Sequence, residues 1–157
     1  MKKEVAEGCR RPQPEWCDPM LATLTRETFS DPAWIYELKF DGVRCLGFRK
    51  GRQVKLFSRN RLELDKTYPE LIEPLLNQAS SNFIVDGEVV ALDRGVSRFS
   101  TLQKRMQLRN AEQARGSGIP IYYYIFDILY LDGRDITHIK LIDRKEMLRR
   151  AFSFRSI

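Results

Sequence analysis

Histidine and cysteine are scarce in this chain: 157 residues carry one histidine, His138, and three cysteines, Cys9, Cys17 and Cys45. A single imidazole excludes a histidine metal cluster and leaves room for at most one Ser-His-Asp arrangement. In the run DITHIKL it reads as an ordinary surface or strand residue. The cysteines form no C-x-x-C pair and leave an odd one out, which argues against a disulfide scaffold and against a zinc site. No apolar run approaches the length of a membrane helix, and MKKEVAEGCRRPQPEW lacks the apolar centre of a signal peptide. A cytoplasmic protein with no membrane partner is therefore expected. Internal repeats and low-complexity tracts are absent as well.

What is present fits one soluble domain over residues 1–157: 43% apolar and 31% charged residues, with enough length for a sizeable core. Residues 1–18 read as an irregular leader. The net charge of +6 is compatible with a polyanionic partner such as nucleic acid, though charge alone does not distinguish this from an ordinary basic protein.

Strand-like runs appear at AWIYELKF, GVRCLGFRK and QVKLFSR, with Lys50-Gly51-Arg52 as the hairpin turn between the last two. KTYPELIEPLLNQ reads as a short helix with Thr67 as N-cap, although Pro74 removes one hydrogen bond from it. NFIVDGEVVALD is a further strand. SRFSTLQKRMQLRNAEQAR reads as one helix, in which Ser100 and Gln103 have capping-box spacing. Its Arg98, Lys104, Arg105, Arg109 and Arg115 make either a solvated basic face or a DNA contact. IPIYYYIFDILYLDGRDI reads as a buried strand ending at an Asp132-Gly133 turn, and LIDRKEMLRRAFSF as a helix opened by Asp143. Strands with interspersed helices point to an α+β domain.

Several strands carry charge where a strand should be apolar. Glu37, Lys39, Asp41 and Arg44 lie in the first region, Asp86 and Glu88 in the second, and Asp127 in the third. One such residue is often a satisfied structural group; several on neighbouring strands suggest a shared polar cleft. A deprotonated lysine in such a cleft can attack phosphorus, given a metal to neutralise phosphates and an aromatic platform for a base.

Taken alone, K-x-D-G is a weak signal, but ELKFDGVR resembles the E-x-K-x-D-G-x-R signature of the ATP-dependent DNA ligases. PMLATL before it, and FSRN, VDGEVVALD, RFSTLQKR and YYIFDILYLDGRDI after it, look like that family in the same order. The resemblance runs from about Pro19 to about Leu148 and is closest to the ligase domains of bacterial end-joining systems. It implies an ATP-grasp-like nucleotidyltransferase fold, with antiparallel sheets, flanking helices and a nucleotide cleft between sheets, incomplete at its C-terminus. The family's later E-G-x-x-x-K and K-x-K strands and its OB-fold domain are not in this sequence, and Arg61 follows SRN where the family usually has a small residue.

The resemblance also implies roles. Lys39 becomes adenylated and Asp41 orients it, while Gly42 lets the backbone pass close to the nucleotide. Glu37 and Leu38 lie against the adenine edge, Arg44 contacts ribose or the end of the nicked strand, and Arg59 holds phosphate. Glu88 contacts ribose or metal. Phe126 stacks on adenine with Asp127 on the opposite side of the strand; plain core is the lesser alternative for Phe126, since Tyr122, Tyr124 and Ile128 share its face. ATP, Mg2+ or Mn2+, nicked double-stranded DNA and other repair or end-joining proteins are the implied cofactors and partners. Two alternatives stand beside this: a catalytically silent remnant that holds nucleotide or DNA, and another nucleotidyltransferase such as an RNA ligase or capping enzyme.

Overall fold

The computed structural model describes residues 8–93, 95–108 and 110–154. Among the described residues seven antiparallel strands form one sheet: β1 (Cys9–Arg10), β2 (Val43–Lys50), β3 (Gln53–Ser58), β4 (Asn82–Asp93), β5 (Val96–Ser97), β6 (Ile121–Leu131) and β7 (Arg134–Asp135). Their order is β1-β7-β6-β4-β2-β3, with β5 paired to β4 off this path. Residues 1–7 of the expected leader, and Arg109 of the expected basic face, lie outside the described residues.

Alternation in β2 and β4 sends two sets of side chains to opposite faces. Cys45, Val85, Val89 and Ile128 join the larger core with Leu75, Leu102, Met147 and Phe152. Leu46, Phe48 and Ile84 form a smaller cluster on the other face, under Trp16 and Phe57. The tight turns fall where glycine and aspartate allow a left-handed backbone: Gly51 at φ 62° joins β2 to β3, and Asp132 at 46° with Gly133 at 85° joins β6 to β7.

Helices flank the sheet, and those of the described residues are α1 (Ile72–Leu76), preceded by a 3-10 turn at Pro69–Leu71, α2 (Phe99–Met106), α3 (Ala111–Gly116) and α4 (Leu141–Ala151). Pro74 is accommodated because it lies in the first turn of α1, where backbone N–H groups lack intrahelical acceptors. No described helix is long and apolar enough to cross a membrane.

Five expectations are corrected. AWIYELKF is not a strand: residues 34–40 are irregular, and Trp34, Tyr36 and Leu38 are exposed. The single helix expected at 97–115 is two, because Asn110 accepts a hydrogen bond from the Glu112 amide and starts a new helix. Ser100 is inside α2, not its cap, and Asp143 is likewise inside α4, whose N-cap position is Lys140. Thr67 caps no helix; the 3-10 turn begins after Tyr68 with no side-chain cap. The antiparallel sheet with flanking helices is as expected, and the cleft lies on the surface of that sheet.

Candidate nucleotide-binding site

The polar end of the β2–β4 ladder is where this site begins. Arg44 faces Glu88 across the ladder, and Leu46 faces Asp86. Arg44 donates from Nε to Asp86 Oδ1 at 2.6 Å and from Nη2 to Asp86 Oδ2 at 2.5 Å, with a further bond to the Met20 carbonyl at 3.0 Å. Asp86 is fully buried, so it needs this cation. Burial pushes the Asp86 carboxyl up, Arg44 pulls it down, and Asp127 pushes it up again; the net direction is upward. Burial also raises the half-buried Glu88 carboxyl, with Asp86 adding to the rise, while Arg44, the Gly42 amide and Lys39 act against it.

A β-bulge shapes the next strand. Asp86 is opposite Asp127 while Gly87 is opposite Ile125, so Phe126 is the extra residue on β6. The bulge requires Gly87, because a Cβ there would lie 2.4 Å from the Tyr124 carbonyl oxygen. It also changes which side chains share a face. Phe126 lies beneath Arg44, whose guanidinium carbon is 4.7 Å from the ring centroid, whereas Ile128 packs in the larger core. The expected common face of Phe126 and Ile128 is thus overturned by one inserted residue.

Helix α4 grips the bulge at two consecutive positions. Arg144 donates to both oxygens of Asp127, at 2.8 and 2.7 Å, in a pair buried on both sides. Lys145 donates to the Phe126 carbonyl at 2.8 Å and also to the Glu37 carboxylate.

Lys39 lies in the irregular segment before β2. Lys39 is exposed and forms no hydrogen bond or ion pair within the described residues, and its charge acts weakly against the upward shift of the Glu88 carboxyl. Leu38 is 82% exposed. Phe40 stacks on Tyr124 with ring centroids 4.3 Å apart. Asp41 forms no hydrogen bond or ion pair with Lys39 among the described residues; its Oδ2 accepts from the Phe99 amide at 3.3 Å and so caps the start of α2 from elsewhere in the chain. Gly42 fits against β4, where a Cβ would meet the Val89 carbonyl oxygen at 2.2 Å.

An open cleft of about 380 Å³ joins these parts, lined by Gly42, Val43, Arg44, Ser58, Arg59, Asn60 and Glu88. It gathers three of the expected residues, Arg44, Arg59 and Glu88, with Phe126 behind Arg44 and Lys39 outside the lining, three residues before Gly42. Glu37 and Leu38 are outside it. Arg105 leaves the expected basic face altogether, being fully buried with Nη2 bonded to both oxygens of Glu70 at 2.8 Å. It shares the inward side of α2 with Leu102, three residues earlier. No group of three or more His, Cys, Asp or Glu converges among the described residues. Glu88 is the carboxylate on the cleft, and a lone carboxylate suits a magnesium or manganese ion that takes its other oxygens from water and substrate phosphates.

Sequence reasoning missed Lys145, which sits in an amphipathic helix whose charges look merely solvated, and the Arg44 clamp on Asp86. The second had a signal: an acid in mid-strand, in register near a strand arginine.

Comparison with known proteins gives a consistent picture. Residues 19–156 match the family model for the ATP dependent DNA ligase domain. The chain is 34% identical over 143 residues to a DNA ligase of Sulfolobus acidocaldarius, covering 83% of this chain and 23% of that protein. It is 34% identical over 131 residues to the SPbeta prophage-derived DNA ligase-like protein LigB of Bacillus subtilis, covering 83% of this chain and 45% of that one. With the multifunctional non-homologous end joining protein LigD of Pseudomonas aeruginosa it shares 32% identity over 142 residues, 90% of this chain and 16% of that protein. Among solved structures, the ligase domain of LigD from M. tuberculosis superposes with a TM-score of 0.59 at 32% identity, over 73% of this chain and 35% of that one. The mycobacterial DNA ligase D complexed with ATP and MES gives 0.58 over the same shares. The chain therefore spans between 16% and 45% of the length of these curated relatives. With its antiparallel sheet and few helices matching the ligase domains of LigD, the chain belongs to the ATP-dependent DNA ligase family, in its adenylation domain.

Proposed function

We propose that this chain carries the lysine-adenylating centre of a cytoplasmic ATP-dependent DNA ligase acting in DNA repair and recombination, with other end-joining proteins as partners. The observation that supports it most is the cleft that gathers Arg44, Arg59 and Glu88 at Gly42, the glycine of the K-x-D-G run that begins with Lys39. In this reading the neutral Lys39 amine attacks the α-phosphorus of ATP. An N–P bond forms, the bond to pyrophosphate breaks, and the amine's second proton passes to solvent. Arg59 offers a fork suited to phosphate oxygens, and Arg44 a guanidinium near ribose. Phe126 presents an aromatic face to adenine, and Glu37 and Leu38 border that base. Glu88 would hold Mg2+ or Mn2+, which when bound supplies charge neutralisation at the phosphates. AMP then moves to the 5′-phosphate of nicked double-stranded DNA, and the 3′-hydroxyl displaces it. Asp41 acts on Lys39 through the backbone, by tying the segment to the start of α2.

Intact mass spectrometry after incubation with ATP and magnesium tests the first step. The wild type is expected to gain one AMP and Lys39→Ala none. ATP binding without mass gain would instead support a silent nucleotide-binding remnant. Nicked-DNA binding that weakens steeply with salt supports the DNA assignment, and its absence removes it.

A further inference from the structure

We infer that Lys145 is a positioning residue for Lys39, clipping the lysine-bearing segment to the bulged strand at Phe126; this rests on Lys39 being the nucleophile. Residues 18–41 contain no helix or strand and are almost all exposed. The position of the Lys39 amine is therefore set by side-chain ties on either side of it. Downstream are the Phe40–Tyr124 stack and the Asp41 bond to the Phe99 amide. Upstream, Tyr36 bonds only within the segment, to the Asp31 amide and the Phe29 carbonyl. Farther upstream the Met20 carbonyl accepts from Arg44 of β2, and the tie nearest to Lys39, two residues before it, is Glu37 to Lys145, which also holds the Phe126 carbonyl.

Lys145 is suited to this task. Its side chain is 13% exposed, against 44% for Glu37, so the lysine is the fixed partner and the glutamate the docked one. Its ammonium donates at once to Glu37 and to the carbonyl of Phe126. The latter is the bulge residue, whose backbone the ladder leaves without a β4 counterpart. The neighbouring Arg144 is locked on Asp127, so the α4 backbone is anchored one residue away. One side chain thus connects the segment carrying the amine to the strand carrying the aromatic ring. Because Glu37 is half in solvent, the pair contributes little to global stability. Its effect should fall on geometry, where small misplacements of a reacting group are costly.

The test compares wild type with Lys145→Met, Lys145→Arg, Glu37→Gln and the Glu37→Gln/Lys145→Met double variant. At saturating ATP and magnesium, Lys145→Met is expected to slow AMP uptake by about tenfold or more. The ATP concentration for half-maximal rate should change far less. Lys145→Arg, which keeps charge and donors, should recover most of the rate. The double variant should be no slower than Lys145→Met, because both changes release the same clip. Without nucleotide, hydrogen exchange at the amides of residues 36–40 should quicken in Lys145→Met and not in Lys145→Arg, while exchange in β4 reports intact folding. Wild-type rate and wild-type exchange in Lys145→Met would overturn the inference, as would losses that multiply in the double variant. If the wild type takes up no AMP, the nucleophile reading fails first, and the exchange data decide the clip by themselves.

Discussion

Asp86 holds Arg44 with two parallel hydrogen bonds, at 2.6 and 2.5 Å, and so fixes a guanidinium between a buried carboxylate and the ring of Phe126. The acid in the middle of β4, unexpected by strand propensity, is explained by this pairing. It leaves Arg44 oriented along the cleft rather than free to swing.

Removing Asp86 should therefore disturb both stability and site. Asp86→Ala leaves the guanidinium over the Phe126 ring with the Met20 carbonyl as its one hydrogen-bond acceptor among the described residues. Breaking a buried pair typically costs several kcal/mol, and since Arg44 is 27% exposed the loss should be about 2 kcal/mol. Urea denaturation measures it. Adding Arg44→Met to Asp86→Ala should restore part of the stability, because the uncompensated charge is gone; no recovery would show that Asp86 acts through something other than Arg44.

Gly42 distinguishes two explanations of the K-x-D-G glycine. Packing against β4 explains it directly, since an added Cβ meets the Val89 carbonyl oxygen at 2.2 Å and a backbone atom of a central strand cannot easily move. Gly42→Ala is expected to cost about 1–3 kcal/mol, read as a lowered thermal midpoint. Weakened ATP binding at unchanged midpoint would favour close approach of nucleotide instead.

Stability should respond to pH through Glu88. Burial raises its folded-state pKa, so between the ordinary carboxylate range near 4 and the raised value the folded chain holds more protons than the unfolded one. Glu88 then favours folding at the acid end and loses that contribution as pH rises through the folded pKa. Glu88→Gln, which cannot ionise, should gain stability relative to wild type over that interval and keep a constant difference above it. Urea midpoints at a series of pH values give the curve; a difference that shrinks with rising pH would contradict the assignment.

Much of the sheet was legible because alternation and turn chemistry agree. Val43, Cys45 and Gly47 against Arg44, Leu46 and Phe48 mark β2, and the turns at Gly51 and Asp132-Gly133 close the hairpins where left-handed backbone is needed. The same alternation misled at Trp34, Tyr36 and Leu38, which are exposed and pair with no described strand. Periodicity reports what could be half-buried, and only a neighbour makes it so. The helix cap at α2 was invisible for a similar reason: its carboxylate is Asp41, distant in sequence and close in space. Arg44 and Glu88 were readable as cleft residues from charge on adjacent strands, and Arg59, one residue past β3, only through the FSRN resemblance. The bulge at Phe126 and the clip through Lys145 depend on register and helix placement, which no local spacing encodes.

The most direct test of the central claim follows the phosphates of ATP. Protein incubated with magnesium and ATP labelled at either the α- or the γ-phosphate is digested and its peptides mapped. The account predicts α-label on the peptide carrying Lys39, no γ-label, and release of the label as ATP on adding pyrophosphate. Label on another residue, or none despite bound ATP, would contradict it.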